Sequence, residues 1–207
     1  MRRETTPDQV SSTDLYRLLT NLVIPRPIAW VSTINDQGQT NLAPHSFFTV
    51  ASANPPIVQF TSVGRKDTLR NIEQNGQFTI CFATRHHFET INASATEFEA
   101  GRSEFTELGI AAEPSMRVAP PRVADSPAAL ECELERVVEV GDSFLVLGRV
   151  VQAAVSENVH NDQQRPDAQL LNPLARLGGS QWGTLGDILS IRRISLEQWN
   201  AGLPDTD

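Results

Sequence analysis

The chain has 207 residues, 40% of them hydrophobic and 20% charged, the proportions of a globular chain long enough to bury a core without disulfides or a structural metal. Its formal net charge of −8 argues against nucleic acid or an anionic membrane as the main partner, while leaving room for a local basic site. Two isolated cysteines, Cys81 and Cys132, with no CxxC pair and no HExxH, make no case for zinc and predict a reduced, cytoplasmic chain.

Residues 1–12 are polar and read as a loose arm without the apolar segment of a secretory signal. No apolar run approaches the roughly 20 residues needed to span a bilayer. Ser12 or Thr13 is expected to cap a short helix, DLYRLLTN, with Leu15, Leu18 and Leu19 on one face. PRPIAWVSTI reads as a strand with Pro25 and Pro27 at its start, NDQGQ as a turn, and TNLAPHSFFTV as the returning strand. NPPIVQFTS is a third strand. KDTLRNIEQN is a helix, with Leu69 and Ile72 inward and Gly76 as its stop.

QFTICFA is a strand with Phe78, Ile80 and Phe82 on one face and Thr79 and Cys81 on the other. HHFETINASATEF reads as a helix. The proline- and alanine-rich stretch GIAAEPSMRVAPPRVADSPA reads as a meandering connection. In ALECELERVVEV, the alternation puts Leu130, Cys132 and Leu134 inside and Glu131, Glu133 and Glu135 in water. Gly141 and Asp142 turn the chain into the long strand SFLVLGRVVQAAV. ENVHNDQQRPDAQ is a polar loop, DILSIRRI a last strand, and SLEQWNAG a short closing helix or tail. Six or seven strands in hairpin-like pairs predict an antiparallel barrel or sandwich carrying helices, in a single domain over residues 1–207.

Two segments carry chemistry. TSVGRKDT joins a strand to a helix and contains Lys66, the only lysine in the chain. Thr61 and Ser62 offer hydroxyls, Gly64 lets the backbone approach a ligand, and Arg65 and Lys66 bring positive charge. Asp67 or Thr68 is expected to cap the helix. Hydroxyls, cations and a helix N-terminus together suit a phosphate. The plain alternative is an ordinary strand–helix junction. Neither a GxxxxGK[ST] loop nor a GxGxxG fingerprint is present.

NLAPHSFF is the second segment. Pro44 inside the strand is expected to break the ladder, freeing N–H groups from Ala43 to Phe47 for the polar edge of a flat heterocycle. Ser46 and His45 add a hydroxyl and an imidazole. The structural alternative is a β-bulge at a barrel corner with Phe47 and Phe48 in the core.

PRPIAWVST, NLAPHSFF, NPPIVQF and KDTLRNI, in this order, resemble the flavin reductase-like family of FMN-binding split-barrel proteins, and ARLGGSQW is similar to that family's closing motif. The resemblance covers about residues 14–195. It implies a mainly β, Greek-key split β-barrel with peripheral helices, and a homodimer holding FMN near its interface. It also implies that Asn41, Ala43, Pro44, His45, Ser46 and Phe47 lie along the flavin ring. Thr61, Ser62, Arg65, Lys66, Asp67 and Thr68 would surround the phosphate. Arg26 would be a further cofactor contact, and Arg176 and Trp182 contributions from a partner subunit.

The implied activity is NAD(P)H:FMN oxidoreduction, with NADH or NADPH as hydride donor, His45 as the one ionisable group beside the ring, and a monooxygenase as a recipient of reduced flavin. The chain departs from the pattern at Cys81, where many relatives carry asparagine and a thiol is a poorer hydrogen bonder. Alternatives on the same scaffold are an electron-transfer flavoprotein, another FMN enzyme, a module binding haem or a deazaflavin, and a structural dimer.

Overall fold

The structure is a computed structural model that describes residues 1–99 and 101–201. In chain order its elements are α1 (Ser12–Leu22), β1 (Arg26–Pro27), β2 (Ala29–Ile34), β3 (Thr40–His45), β4 (Phe48–Ala53), β5 (Pro56–Val63), α2 (Asp67–Asn75) and β6 (Gln77–Phe82). These are followed by α3 (Phe88–Ala93), α4 (Glu104–Glu107), β7 (Ala112–Glu113), β8 (Arg122–Val123), β9 (Ala128–Val140) and β10 (Ser143–Val155). The chain closes through α5 (Ala168–Leu171), β11 (Ala175–Arg176), β12 (Trp182–Gly183) and α6 (Leu196–Asn200). Gly202, the last residue of the expected closing segment, lies outside the described residues.

Seven strands form one antiparallel sheet in the order β3-β2-β6-β9-β10-β5-β4. Its two edge strands, β3 and β4, are consecutive in the chain and joined only by Ser46 and Phe47. A two-residue link spans at most a few ångströms per residue, so the sheet must curl until its edges nearly meet. They meet without pairing: His45 Nδ1 of β3 lies 3.3 Å from Thr61 O of β5 across the seam, and β3 and β4 are not hydrogen-bonded neighbours. The result is a barrel left split along this line.

Alternation along β2 and β6 feeds two cores. Ala29, Val31, Phe78 and Ile80 face the first, with Phe60, Val146, and Leu69 and Ile72 of α2. Ile28, Trp30 and Cys81 face the second, with Leu42, Ile91, Phe105 and Leu174. Both faces of β2 are thus covered, and Ala29 to Thr33 are all buried. Gly148 in β10 sits where a Cβ would lie 2.2 Å from Cζ of the fully buried Phe78 ring, so only glycine lets β10 approach the ring.

Several expectations are corrected. The α1 cap is Ser11, whose backbone is extended and whose Oγ accepts from Asp14 N–H at 3.0 Å, while Ser12 and Thr13 are already helical. Leu18 and Leu19 are 40% and 52% exposed, and α1 buries Thr20. Lys66, not Asp67 or Thr68, occupies the N-cap of α2. The helix expected over residues 86–98 is α3 alone, ending at Ala93.

Residues 184–195, including DILSIRRI, carry no regular structure and pair with no strand. Glu131 faces not water but the underside of the proline-rich meander, with 0% exposure. There its carboxylate accepts from Met116 N–H at 3.0 Å, Arg117 N–H at 2.6 Å and Arg122 Nε at 3.0 Å. Burial works to raise this carboxyl, and those donors outweigh it and hold it below the ordinary range.

Candidate functional site

The seam between the sheet edges opens into a cleft of about 430 Å³, within the size range of small-molecule sites. One wall is β3 and the link, with Asn41, Ala43, Pro44, His45, Ser46 and Phe47. The floor is β5, with Thr61 and Val63. The far end is the start of α2, with Arg65, Lys66, Asp67, Thr68 and Arg70. The opposite wall is the segment 94–98, with Arg102 and Glu104 beyond it and Tyr16 of α1 at the mouth.

The end at α2 is built for an anion. Lysine is a poor N-cap, and the Lys66 side chain caps nothing. The N–H groups of Asp67, Thr68 and Leu69 therefore meet no acceptor among the described residues. Two hydroxyls beside them are already turned. Thr61 Oγ1 accepts from Gln59 Nε2 at 2.8 Å, and Thr68 Oγ1 accepts from Asn41 Nδ2 at 3.0 Å. One lone pair of each oxygen is thus engaged, and each hydroxyl proton is left to donate.

Ser62 does not join them. Alternation along β5 turns its side chain to the other face, where it is fully buried and donates to Gly64 O at 2.9 Å.

The β3 wall differs from its sequence reading. Leu42 N–H points away from β2 and donates to Glu104 Oε2 at 2.7 Å. Antiparallel pairs alternate between bonded and non-bonded. Pro44, two residues on and opposite Trp30, therefore also sits at an outward position where no N–H is required. The proline does not break the ladder. The break comes after His45, and Ser46 and Phe47 are the residues whose N–H groups find no acceptor among the described residues.

His45 closes the β3 wall. Its Nδ1 lies 3.3 Å from Thr61 O. A carbonyl only accepts, so Nδ1 carries the proton and Nε2 keeps its lone pair. Nε2 is covered and has no hydrogen-bond partner, although part of the residue remains accessible. Burial, with a smaller push from the Lys66 charge, lowers the imidazole to about 4 against the Thr61 hydrogen bond that favours the cation. The ring is neutral at pH 7 and rests 4.6 Å, centroid to centroid, from Phe60.

Arg26, Arg176 and Trp182 lie away from the cleft. The buried Arg26 guanidinium donates to Thr20 O, to Val23 O at 2.8 Å and to Leu177 O at 2.7 Å, binding the end of α1 to the closing motif. Its one link to the site is through Phe47, whose ring centroid is 5.8 Å away. Arg176 stacks on Trp182 at 4.5 Å in the small sheet β1-β11-β12. Cys81 is also remote, buried in the second core with its Sγ accepting from Val123 N–H.

The opposite wall was not foreseen. Segment 94–98 is placed by Ser94, whose Oγ accepts from buried Trp30 Nε1 at 2.9 Å and donates to Ile91 O at 2.9 Å. A buried indole N–H demands such a partner, and that is the only signal the sequence held. Glu104 is 6% exposed, and burial raises its carboxyl above the ordinary range.

The match of the chain to the flavin reductase like domain model runs over residues 21–174, and the chain belongs to that family. Among solved structures it is similar to nitrilotriacetate monooxygenase component B from Bacillus cereus, 31% identical, with a TM-score of 0.88 over 92% of this chain and 99% of that one. It is similar to 2-nitrobenzoate 2-nitroreductase from Pseudomonas fluorescens, 28% identical, with a TM-score of 0.87 over 94% of this chain and 98% of that one. A Shewanella frigidimarina protein with a split barrel domain, 21% identical with a TM-score of 0.84 over 94% of this chain and all of that one, shares the fold. No helix among the described residues is long and apolar enough to cross a membrane.

Proposed function

We propose that the cleft binds FMN and that the chain is an NAD(P)H:flavin oxidoreductase acting as a cytoplasmic homodimer. The observation that carries this reading is the uncapped start of α2. Three bare N–H groups, two donor-oriented hydroxyls and the Lys66 and Arg65 cations converge where a phosphate would complete the helix. The Ser46 and Phe47 N–H groups offer donors to the polar edge of the flavin ring, and His45 sets a neutral imidazole beside it. When bound, FMN supplies the redox chemistry by taking a hydride from NADH or NADPH. The chain's own part is to hold the phosphate, align the ring and keep a cation off the imidazole.

Family membership supports the flavin. The likeness to a monooxygenase component B supports a monooxygenase as recipient of the reduced flavin. The likeness to a nitroreductase supports a second reading, in which the flavin stays bound and reduces an organic acceptor. The free, buried Cys81 and Cys132 support a reducing compartment.

The test is the visible spectrum on adding FMN, then NADH or NADPH without oxygen. Flavin bands that bleach establish the reductase, and bands that persist move the reaction to another FMN enzyme or an electron carrier. Failure to titrate FMN leaves haem, a deazaflavin or a purely structural role. Lys66→Ala is expected to weaken FMN by roughly 1.5–3 kcal/mol, the scale of a hydrogen bond to a charged group, and riboflavin far less.

A further inference from the structure

Four cations line the cleft, and each has a carboxylate partner. Three are paired locally. Arg65 reaches Glu73 at 2.5 Å and Arg70 reaches Asp67, both on α2, while Arg102 holds Glu107 five residues on. Lys66 differs. Its Nζ lies 2.9 Å from Oε1 of Glu97, which is 31 residues away in sequence and belongs to the opposite wall. The contact spans the cleft at its anion end.

Glu97 has no other hydrogen-bond partner among the described residues, and its side chain is 83% exposed. Nothing in the packing requires a carboxylate there. Lys66 holds the Glu97 carboxyl below the ordinary range, so it is charged at neutral pH.

We propose that Glu97 is a stand-in anion that occupies Lys66 when the cleft is empty and yields it to a phosphorylated ligand, so that it sets how strongly phosphorylated flavin is favoured over unphosphorylated flavin. This rests on the reading of the α2 end as a flavin phosphate site. A dianion arriving at Lys66 must displace one carboxylate and then sit near it. An unphosphorylated flavin does neither. When the phosphate leaves, Glu97 returns a counter-charge to Lys66, which favours release. A reductase that hands its flavin to a second protein needs that exchange.

The pair is exposed, and exposed pairs are weak. The effect is therefore about fivefold in affinity, against the larger loss expected from Lys66→Ala. Flavin fluorescence titrations with FMN and with riboflavin test it on the full-length chain, Glu97→Gln, Lys66→Ala and the double variant. Glu97→Gln keeps the shape of an exposed side chain, so folding is not at stake. It is expected to bind FMN about fivefold tighter at low salt and riboflavin unchanged. The gain should shrink at about 1 M salt, where the Debye length falls to ~3 Å, and should be absent when Lys66 is already alanine.

Unchanged or weaker FMN binding in Glu97→Gln, with Lys66→Ala still costing FMN more than riboflavin, overturns the stand-in role and leaves the phosphate site in place. Equal losses of FMN and riboflavin in Lys66→Ala overturn the phosphate site and the stand-in role together.

Discussion

At the scale of single residues, the site depends on groups held in one protonation state or turned one way. His45 is the clearest. Its folded value of about 4 lies below the ordinary 6.5 because the imidazole is buried. Between these values the unfolded chain takes up a proton that the folded chain refuses. Stability should therefore fall as pH drops from 6.5 towards 4, and this group should contribute no slope above that window. Urea midpoints at pH 7 and pH 4.5, for the parent chain and His45→Gln, measure it: the parent is expected to lose more than the variant, and equal losses would show that His45 titrates normally.

Lys66, Thr61 and Thr68 were legible because charge, hydroxyls and a helix start share one short segment. Ser62 was not, because a strand's alternation decides between neighbours and TSVGRKDT does not reveal which face meets the cleft. Glu131 and Glu104 were illegible for a stronger reason. A carboxylate is assigned to water by default, and only the tertiary structure brings Arg122, or the N–H of Leu42, close enough to bury it.

At the scale of elements, the hairpins were readable from turn residues and alternation, and α2 from its spacing and the left-handed Gly76 at its end, with φ 67°. What periodicity could not give was a partner. DILSIRRI has a strand's composition, yet Leu189 and Ile191 are 93% and 90% exposed. In α1, Leu19 and Leu22 are 52% and 68% exposed. Apolar residues on two separate elements, covered by neither, form an unusual surface for a lone chain. The proposed homodimer would cover them.

Sedimentation at micromolar concentration should give twice the chain mass, and replacing Leu189 and Ile191 by aspartate should return it towards a single chain. A single mass for the parent chain would remove the dimer and leave these faces for another partner.

At the scale of the whole molecule, an antiparallel barrel or sandwich was legible from the count of strands, and the split only through the resemblance carried by NLAPHSFF and its neighbouring motifs, not through periodicity. The split follows from the order β3-β2-β6-β9-β10-β5-β4, in which two strands joined by Ser46 and Phe47 end up at opposite edges. No local signal marks that outcome. NLAPHSFFTV reads as one strand whether or not the sheet curls, and the interruption falls at residues with no special backbone demand. The cleft exists only because all six ladders between those edges form.

That seam also bears on the order of events in folding. Strands adjacent in sequence come together only after loops such as the one from β6 to β9 have closed, and such long closures are slow. The cleft is thus among the last parts of the molecule to form. A flavin would have nothing to hold on a half-folded chain, whereas on the native one the proposed site draws on both edges. Added FMN should leave the refolding rate unchanged and slow unfolding. Stopped-flow traces with and without FMN decide it, and faster refolding would mean that the seam closes early.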